Sequence, residues 1–375
     1  MNKLWLWVVV VIIVIGGIYY AVGRNTAPAG TDGVIKIGYV GPFTGPVAGT
    51  SGEDVGNGWK LGVKQRPTIG GKTVEVIYED DACDPKQAAA AAQKLLNVDK
   101  VQIVINGVCS GSMLSMAPIT EAAKAVLFTP VSTTPKITEA GDYVFRTSAS
   151  SVHTARAISA FLKRENYKKV ALFFENADYP VGIKDAFTAD FGAAAGNSIV
   201  AAEGFNTKET DMRTQLLKIS AAKPDALVAI MNSTVSGNAF IKQARDLGIK
   251  MSIVGNEYFG FRDVVVNPAA DGIYITQYKY DDMAPTFRSY IAAYEAEYGK
   301  KPSQEIYAAL PFDGYNVLAD AIEKCAGTVP DCVRDALYAT KGYVGITGVI
   351  TIDGKGDTDR EFVIRRIAGG ALTDI

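Results

Sequence analysis

A chain of 375 residues with a single histidine, His153, has few ways to do chemistry. A site built on several histidines is impossible, and any imidazole catalysis would run through that one ring. His153 has no second partner in the sequence and reads as a surface or capping residue at the start of a helix. Ser110 lies in Gly107-Val108-Cys109-Ser110-Gly111, which lacks the Gly-x-Ser-x-Gly elbow of a hydrolase nucleophile. Gly71-Lys72-Thr73 looks like the end of a phosphate loop, but Arg66 stands where the upstream glycine is needed. Gly56-Asn57-Gly58 begins a dinucleotide pattern that Leu61 breaks at the third glycine. The acids Glu79, Asp80, Asp81 and Asp84 lack the alternation and central glycine of a calcium loop, and Asp353, Asp357 and Asp359 read the same way. The expectation is therefore no metal, no cofactor and no catalysis.

What the sequence does supply is hydroxyls and glycines in short loops, at 41–46, 106–112, 129–135, 175–179, 232–234 and 255–258. Hydroxyls beside the free N–H groups of a helix N-terminus make a seat for a carboxylate. One such loop is usually only a helix cap. Several at one edge of the fold would make a cleft.

The elements that must position them follow from periodicity. Short β-rich runs at 34–40, 74–79, 101–106, 126–129 and 143–146 alternate with helical stretches at 52–65, 86–96 and 112–124, and with a short turn at 134–140. The pattern resumes with strands at 170–174, 199–205, 226–231, 252–254 and 272–276. Helices are expected at 152–165, 182–194, 212–221, 236–247, 286–298, 306–324 and 330–340. Asp84-Pro85 is a helix start, with a capping carboxylate followed by proline at the first position. Repeated strand–helix–strand units predict an α/β fold of parallel sheets covered on both faces. About ten strands exceed one compact open sheet, which predicts two lobes with ligand loops at the carboxyl ends of the strands.

The chain opens with a charge-free run of 19 residues, 4–22, between Lys3 and Arg24. That is longer than the usual core of a signal peptide and close to the length of a spanning helix. Trp5, Trp7, Tyr19 and Tyr20 sit near its ends like interfacial belts. Residues 1–24 are expected to be a signal anchor or a cleaved signal peptide, with length favouring the anchor, and 25–33 a flexible tether. Either way the remainder works outside the cytoplasmic membrane. With 38 Lys and Arg against 40 Asp and Glu, nothing points to nucleic acid as a partner. An even count of four cysteines in an oxidising compartment favours two disulfides, with Cys325 and Cys332 close enough for a small loop.

Tyr78-Glu79-Asp80-Asp81-Ala82-Cys83-Asp84-Pro85-Lys86-Gln87-Ala88 follows Thr44-Gly45-Pro46-Val47-Ala48. Val108-Cys109-Ser110, the 129–135 loop, Lys242-Gln243-Ala244-Arg245, Gly255-Asn256-Glu257 and Gly354-Lys355-Gly356-Asp357 come after them in order. Together these segments resemble the extracytoplasmic solute-binding proteins of ABC importers, in particular the leucine/isoleucine/valine-binding group, from about Val34 to the end. Periodicity alone divides the chain once, near Ser150. The resemblance instead implies two Rossmann-like lobes with parallel sheets, 34–148 with 277–345 and 149–276 with 346–375, joined by three hinge crossings (periplasmic binding protein-like, type 1).

The resemblance also implies which residues bind. Ser110 and Thr133, with the main chain at Val131 and Ser132, would hold a ligand α-carboxylate. Glu257 would pair with the α-ammonium, and Tyr179 and Tyr307 would cover the ligand. Ser233 stands where the group has a pocket tyrosine, and Thr50-Ser51 where it has another, so the walls that size the side chain differ. Cys83 and Cys109 match the group's disulfide. The function implied is capture of an amino acid of branched-chain type or an analogue by a monomeric soluble part, and delivery to an ABC permease. The alternative is a sensor of the same fold that binds an amino acid, an amide or a urea-like ligand.

Overall fold

The computed structural model describes residues 33–375. The expected anchor or signal, with most of the tether, lies outside them. Among the described residues no helix is long and apolar enough to cross a membrane.

The chain starts with β1 (Val34–Gly41), α1 (Glu53–Gln65), β2 (Thr68–Ile69), β3 (Lys72–Asp80) and α2 (Pro85–Asn97). It continues through β4 (Ile103–Asn106), α3 (Ser110–Ala122), β5 (Val126–Thr129) and β6 (Val144–Arg146). These strands form one sheet in the order β2-β3-β1-β4-β5-β6, parallel except for the β2 edge. After Thr147 the chain enters the second lobe: α4 (Ser151–Arg164), β7 (Lys169–Glu175), α5 (Asp178–Gly192), β8 (Ser198–Phe205) and α6 (Arg213–Ala221). Then come β9 (Ala226–Ile230), α7 (Thr234–Asp246), β10 (Ser252–Gly255) and β11 (Tyr274–Tyr278). The last part comprises α8 (Pro285–Tyr298), α9 (Glu305–Lys324), α10 (Pro330–Tyr338), the hairpin β12 (Tyr343–Gly345) and β13 (Gly348–Ile350), and a second hairpin, β14 (Phe362–Ala368) and β15 (Ala371–Asp374). The second sheet runs β15-β14-β11-β10-β9-β7-β8.

Period-2 alternation explains why the late helices return to the first lobe. Ile35, Ile37, Ile103, Ile105, Val126 and Phe128 face one side of the first sheet, and Val40, Val104, Leu127 and Val144 face the other. Ala88, Leu95, Met113 and Met116 of α2 and α3 cover the second face. The first is covered by Tyr315, Leu318 and Ile322 of α9 with Val333 and Leu337 of α10. Helix α9 lies so close to α1 that a Cβ on Gly58 would meet the Ala308 carbonyl at 2.0 Å. Gly58 thus serves helix packing. The dinucleotide-like spacing around it has no loop to act in.

Two expected boundaries move. Strand β11 belongs wholly to the second sheet, so Gln277 and Tyr278 stay with the second lobe. The third crossing, expected at 346–349, falls after Thr358. Ile350 and Ile352 are buried under the first sheet, and Arg146 N–H donates to the Gly356 carbonyl at 2.9 Å. Arg146, fully buried, also pairs with Asp357 at 2.6 Å, and Thr358 Oγ1 donates to the Arg146 carbonyl at 3.0 Å. Arg360 then spans the hinge, donating to the carbonyls of Thr147 at 2.9 Å and Thr347 at 3.1 Å. The antiparallel β14–β15 hairpin was not anticipated. Its signal is Gly369-Gly370, both at positive φ, between two apolar runs.

Asp54 of α1 positions the start of α9. Its carboxylate accepts from the backbone N–H of Ser303 at 3.0 Å and of Gln304 at 2.8 Å. Burial pushes its pKa up to about 7 against those bonds. A carboxyl whose folded pKa lies above its unfolded one contributes stability in acid that is lost as pH rises through the folded value. Thermal melts should therefore show Asp54→Asn gaining on the wild type between pH 5 and pH 8, and a constant difference across that range would contradict this.

Candidate functional site

The carboxyl ends of both sheets face each other, and the polar loops meet there. Helix α3 begins at Ser110, directly after β4 and its turn, and its first intrahelical bond runs from Met113 N–H to the Cys109 carbonyl. The N–H groups of Ser110, Gly111 and Ser112 precede that bond and carry the positive end of the helix. Ser110 is buried, and its Oγ accepts one long bond, 3.4 Å, from Thr134 N–H. Cys109 is tied to Cys83, and Cys325 to Cys332.

The 129–135 loop packs beside Ser110. Thr129 Oγ1 accepts from Val131 N–H at 3.3 Å and Ser132 N–H at 3.1 Å. Ser132 Oγ lies 2.6 Å from Asn106 Oδ1 and 2.7 Å from the Val108 carbonyl, and the Ser132 carbonyl accepts from Ser148 Oγ. The hydroxyl, N–H and carbonyl of Ser132 are all engaged inside the protein, where they brace the loop. Thr133 is different. Its carbonyl is held by Ser151 N–H at 2.7 Å and Arg146 Nη1 at 3.2 Å, while its hydroxyl is buried with no partner. A buried hydroxyl left unpaired costs about 1–3 kcal/mol and marks a place where a partner belongs.

Across the gap, the loop after β10 presents Glu257, which is 2% exposed. Thr154 Oγ1 donates to its Oε1 at 2.6 Å and the Tyr179 hydroxyl to its Oε2 at 2.5 Å. Burial raises its pKa, and these two donors act against the rise. No Lys, Arg or His among the described residues pairs with it. Asn256 Nδ2 donates to the Tyr179 hydroxyl at 3.0 Å, which orients that oxygen toward Glu257.

Between the lobes lies a small, partly open cavity of about 20 Å³, lined by Val108, Cys109, Ser110, Val131, Thr133, Tyr179, Asn232, Tyr258 and Tyr307. Five expected residues therefore converge: Ser110, Val131, Thr133, Tyr179 and Tyr307. Glu257 stands one hydrogen bond behind the wall, through Tyr179. Ser233 lies outside this cavity, on the wall of a groove that adjoins it. Its Oγ caps α7 by accepting from Ser236 N–H at 3.1 Å, and the adjacent Asn232 lines the cavity instead. The adjoining groove, of about 770 Å³, shares Cys109, Ser110, Tyr179 and Asn232 with the cavity.

The lobes touch across this site. Ser51 Oγ and the Tyr258 hydroxyl are 3.2 Å apart, Arg262 N–H donates to the Ser303 carbonyl at 2.9 Å, and Lys136 reaches Asp178 at 3.1 Å. Tyr258 and Asn232 lie in loops read as polar strand ends, yet nothing in their spacing singled them out.

The acidic runs have other work. Asp80 accepts from the N–H groups of Phe43 at 2.9 Å and Ala82 at 3.0 Å, and so organises the loops after β1 and β3. Asp353 accepts from Lys355 N–H at 2.8 Å, and His153 Nδ1 lies 3.2 Å from Asp359. Among the described residues no group of His, Cys, Asp or Glu could hold a metal ion.

The family model described as periplasmic binding protein matches residues 34–371. The chain is a member of the periplasmic binding protein family. It is 30% identical over 333 residues to the leucine-specific-binding protein of Salmonella typhimurium, covering 86% of this chain and 88% of that one. Its structure resembles the branched-chain amino acid transporter substrate-binding protein LivJ of Streptococcus pneumoniae in complex with isoleucine. The TM-score there is 0.81 at 26% identity, over 90% of this chain and 97% of the other. It is equally similar to an ABC-transporter solute-binding protein of Rhodopseudomonas palustris BisB5 in complex with 3,4-dihydroxybenzoic acid, with TM-score 0.81 and 26% identity over 91% and 96% of the two chains.

For this periplasmic binding protein, the roles of the two neighbouring hydroxyls separate in a stability measurement. Ser132→Ala should lower stability by about 1–2 kcal/mol in denaturant titration, because it strips the brace between two loops. Thr133→Val, which replaces an unpaired hydroxyl by a methyl of similar shape, should leave stability unchanged or raise it. Equal losses in both would contradict the assignment.

Proposed function

We propose that the protein captures an α-amino acid between its lobes, without altering it, and hands it to an ABC permease outside the cytoplasm. One feature carries the reading: the cavity between the lobes is polarised. On one side stand Ser110 at the positive end of α3 and the unpaired Thr133 hydroxyl, which suit a carboxylate. On the other, Tyr179 leads to a buried carboxylate, Glu257, that no cationic side chain of the described residues balances. A zwitterion with its charges on adjacent groups matches both sides at once. Each set of contacts belongs to a different lobe, so a bound ligand favours the closed arrangement over an open one.

The relatives named for leucine and isoleucine support an amino acid. The dihydroxybenzoate complex supports the carboxylate half of the recognition alone. Glu257 favours the former, since a ligand without an ammonium would leave that charge buried and unanswered. Membership of the family supports the extracytoplasmic setting and the permease partner.

Calorimetry on the full-length protein tests this. Glu257→Ala should weaken amino acid binding by well over tenfold, because truncating one partner of a buried charge pair costs about 2–5 kcal/mol. Near-normal affinity in that variant would refute the pairing, whereas benzoate-type acids, which leave the Glu257 charge unanswered, should bind the variant no more weakly than the wild type.

A further inference from the structure

We infer that Tyr258 sets the size limit of the site, so that the amino acid it takes has a side chain of glycine, alanine or serine size. This rests on the amino acid reading above and specifies its ligand. Tyr258 is 5% exposed and lines the cavity. Its ring stacks on Phe261 at 5.4 Å, meets Tyr179 edge-on at 5.9 Å, and its hydroxyl reaches Ser51 of the opposite lobe at 3.2 Å. Phe261 in turn packs against Tyr307, another wall residue, at 5.0 Å. Held by rings on two sides and by a hydroxyl at its tip, the ring has nowhere to swing while the lobes are closed.

Opening the lobes does not relieve this. Separating them makes room for a carboxylate between Ser110, Thr133 and the opposite wall. Tyr258, however, directly follows Glu257 in one short helical turn, Glu257–Gly260. The ring therefore travels with the group proposed to hold the ammonium and keeps its distance from it at every degree of closure. A bulky side chain on the ligand that points at the ring meets it before the lobes can seal. Burial pushes the Tyr258 hydroxyl up to about 12, so at neutral pH it stays an uncharged donor able to bond Ser51. The way around the ring is the adjoining groove, whose wall includes the acids Glu175 and Asp178 and the amide of Asn232. Its wall also carries Pro46, Val47, Val235 and Ala239, so the groove itself does not select against an apolar side chain and the limit lies in the ring.

The measurement is calorimetry on the full-length protein with glycine, alanine, serine, leucine and lysine. The wild type should bind the three small amino acids at least tenfold more tightly than leucine or lysine, which is the scale of about 1–3 kcal/mol for overfilling a packed site. Tyr258→Gly should move the leucine-to-alanine ratio at least tenfold toward leucine. Tyr258→Phe and Ser51→Ala keep the ring and lose only the bond between lobes, so both should weaken all ligands together and leave the ratio unmoved. If the glycine variant fails to fold, the wild-type leucine-to-alanine ratio carries the test, and a ratio shifted by either of these two variants would overturn the assignment to the ring. Leucine binding the wild type as tightly as alanine would overturn the size limit and leave the amino acid reading standing. Tight lysine binding would show that side chains leave through the groove, and would overturn it too. Binding of no amino acid at all would overturn the amino acid reading, and the size limit with it.

Discussion

A carboxylate taken out of water and given no cation is an expensive thing to build, and Glu257 is in that position. Two hydrogen bonds, from Thr154 and Tyr179, offset part of the desolvation without neutralising the charge. Much of the surrounding structure exists to keep those donors in place. Thr154 stands in the first turn of α4, immediately after the first crossing, and Ser150 caps that helix. Tyr179 opens α5 and is steadied by Asn256, whose Oδ1 accepts from Met231 N–H and whose Nδ2 donates to the Met231 carbonyl. The Glu257 carboxylate thus draws on four elements of the second lobe.

The opposite wall obeys a different constraint. It must present donors without any buried positive side chain, which would close on Glu257 itself. It does so with backbone N–H groups at the start of α3 and with hydroxyls, and it keeps the buried guanidinium of Arg146 behind the loop. There Arg146 holds the carbonyls of Thr133 and Thr134 and is balanced by Asp357 at 2.6 Å. The same pair fastens the last crossing to the first lobe, so loop geometry and hinge position are set by one ion pair. A second polar knot, in which Asp313 accepts from the N–H groups of Ile346 and Thr347 while Thr347 meets Arg360, ties α9 through the β12–β13 turn to the same crossing.

Much of this was legible in the chain. The strand at 126–129 falls at its expected residues, and Asp84-Pro85 caps and starts α2 as its chemistry requires. Ser110, Thr133, Tyr179 and Tyr307 do line one cavity, although it was the family likeness and not their spacing that brought them forward. Edges and boundaries were less legible. The β14–β15 hairpin is half-exposed, and its strands show no clean alternation of apolar and polar residues. The third crossing falls later than the family likeness implies, because Ile350 and Ile352 look like strand residues of either lobe until the first sheet claims them.

Local sequence determined which segments are strands and which are helices, where the helices begin, and that polar, small residues gather at the strand ends. Those features depend on periodicity and on groups within a few residues of each other, so a single chain can be read for them. Which polar residues face the cavity was decided by tertiary packing alone. Ser132 and Thr133 are adjacent hydroxyl residues in one loop. The first is consumed by Asn106 and Val108 and the second left free, because only the folded sheet brings those partners to one side. Ser51 and Tyr258, more than two hundred positions apart, meet for the same reason. A contact between lobes has no local signature, since neither residue's neighbours carry any trace of the other.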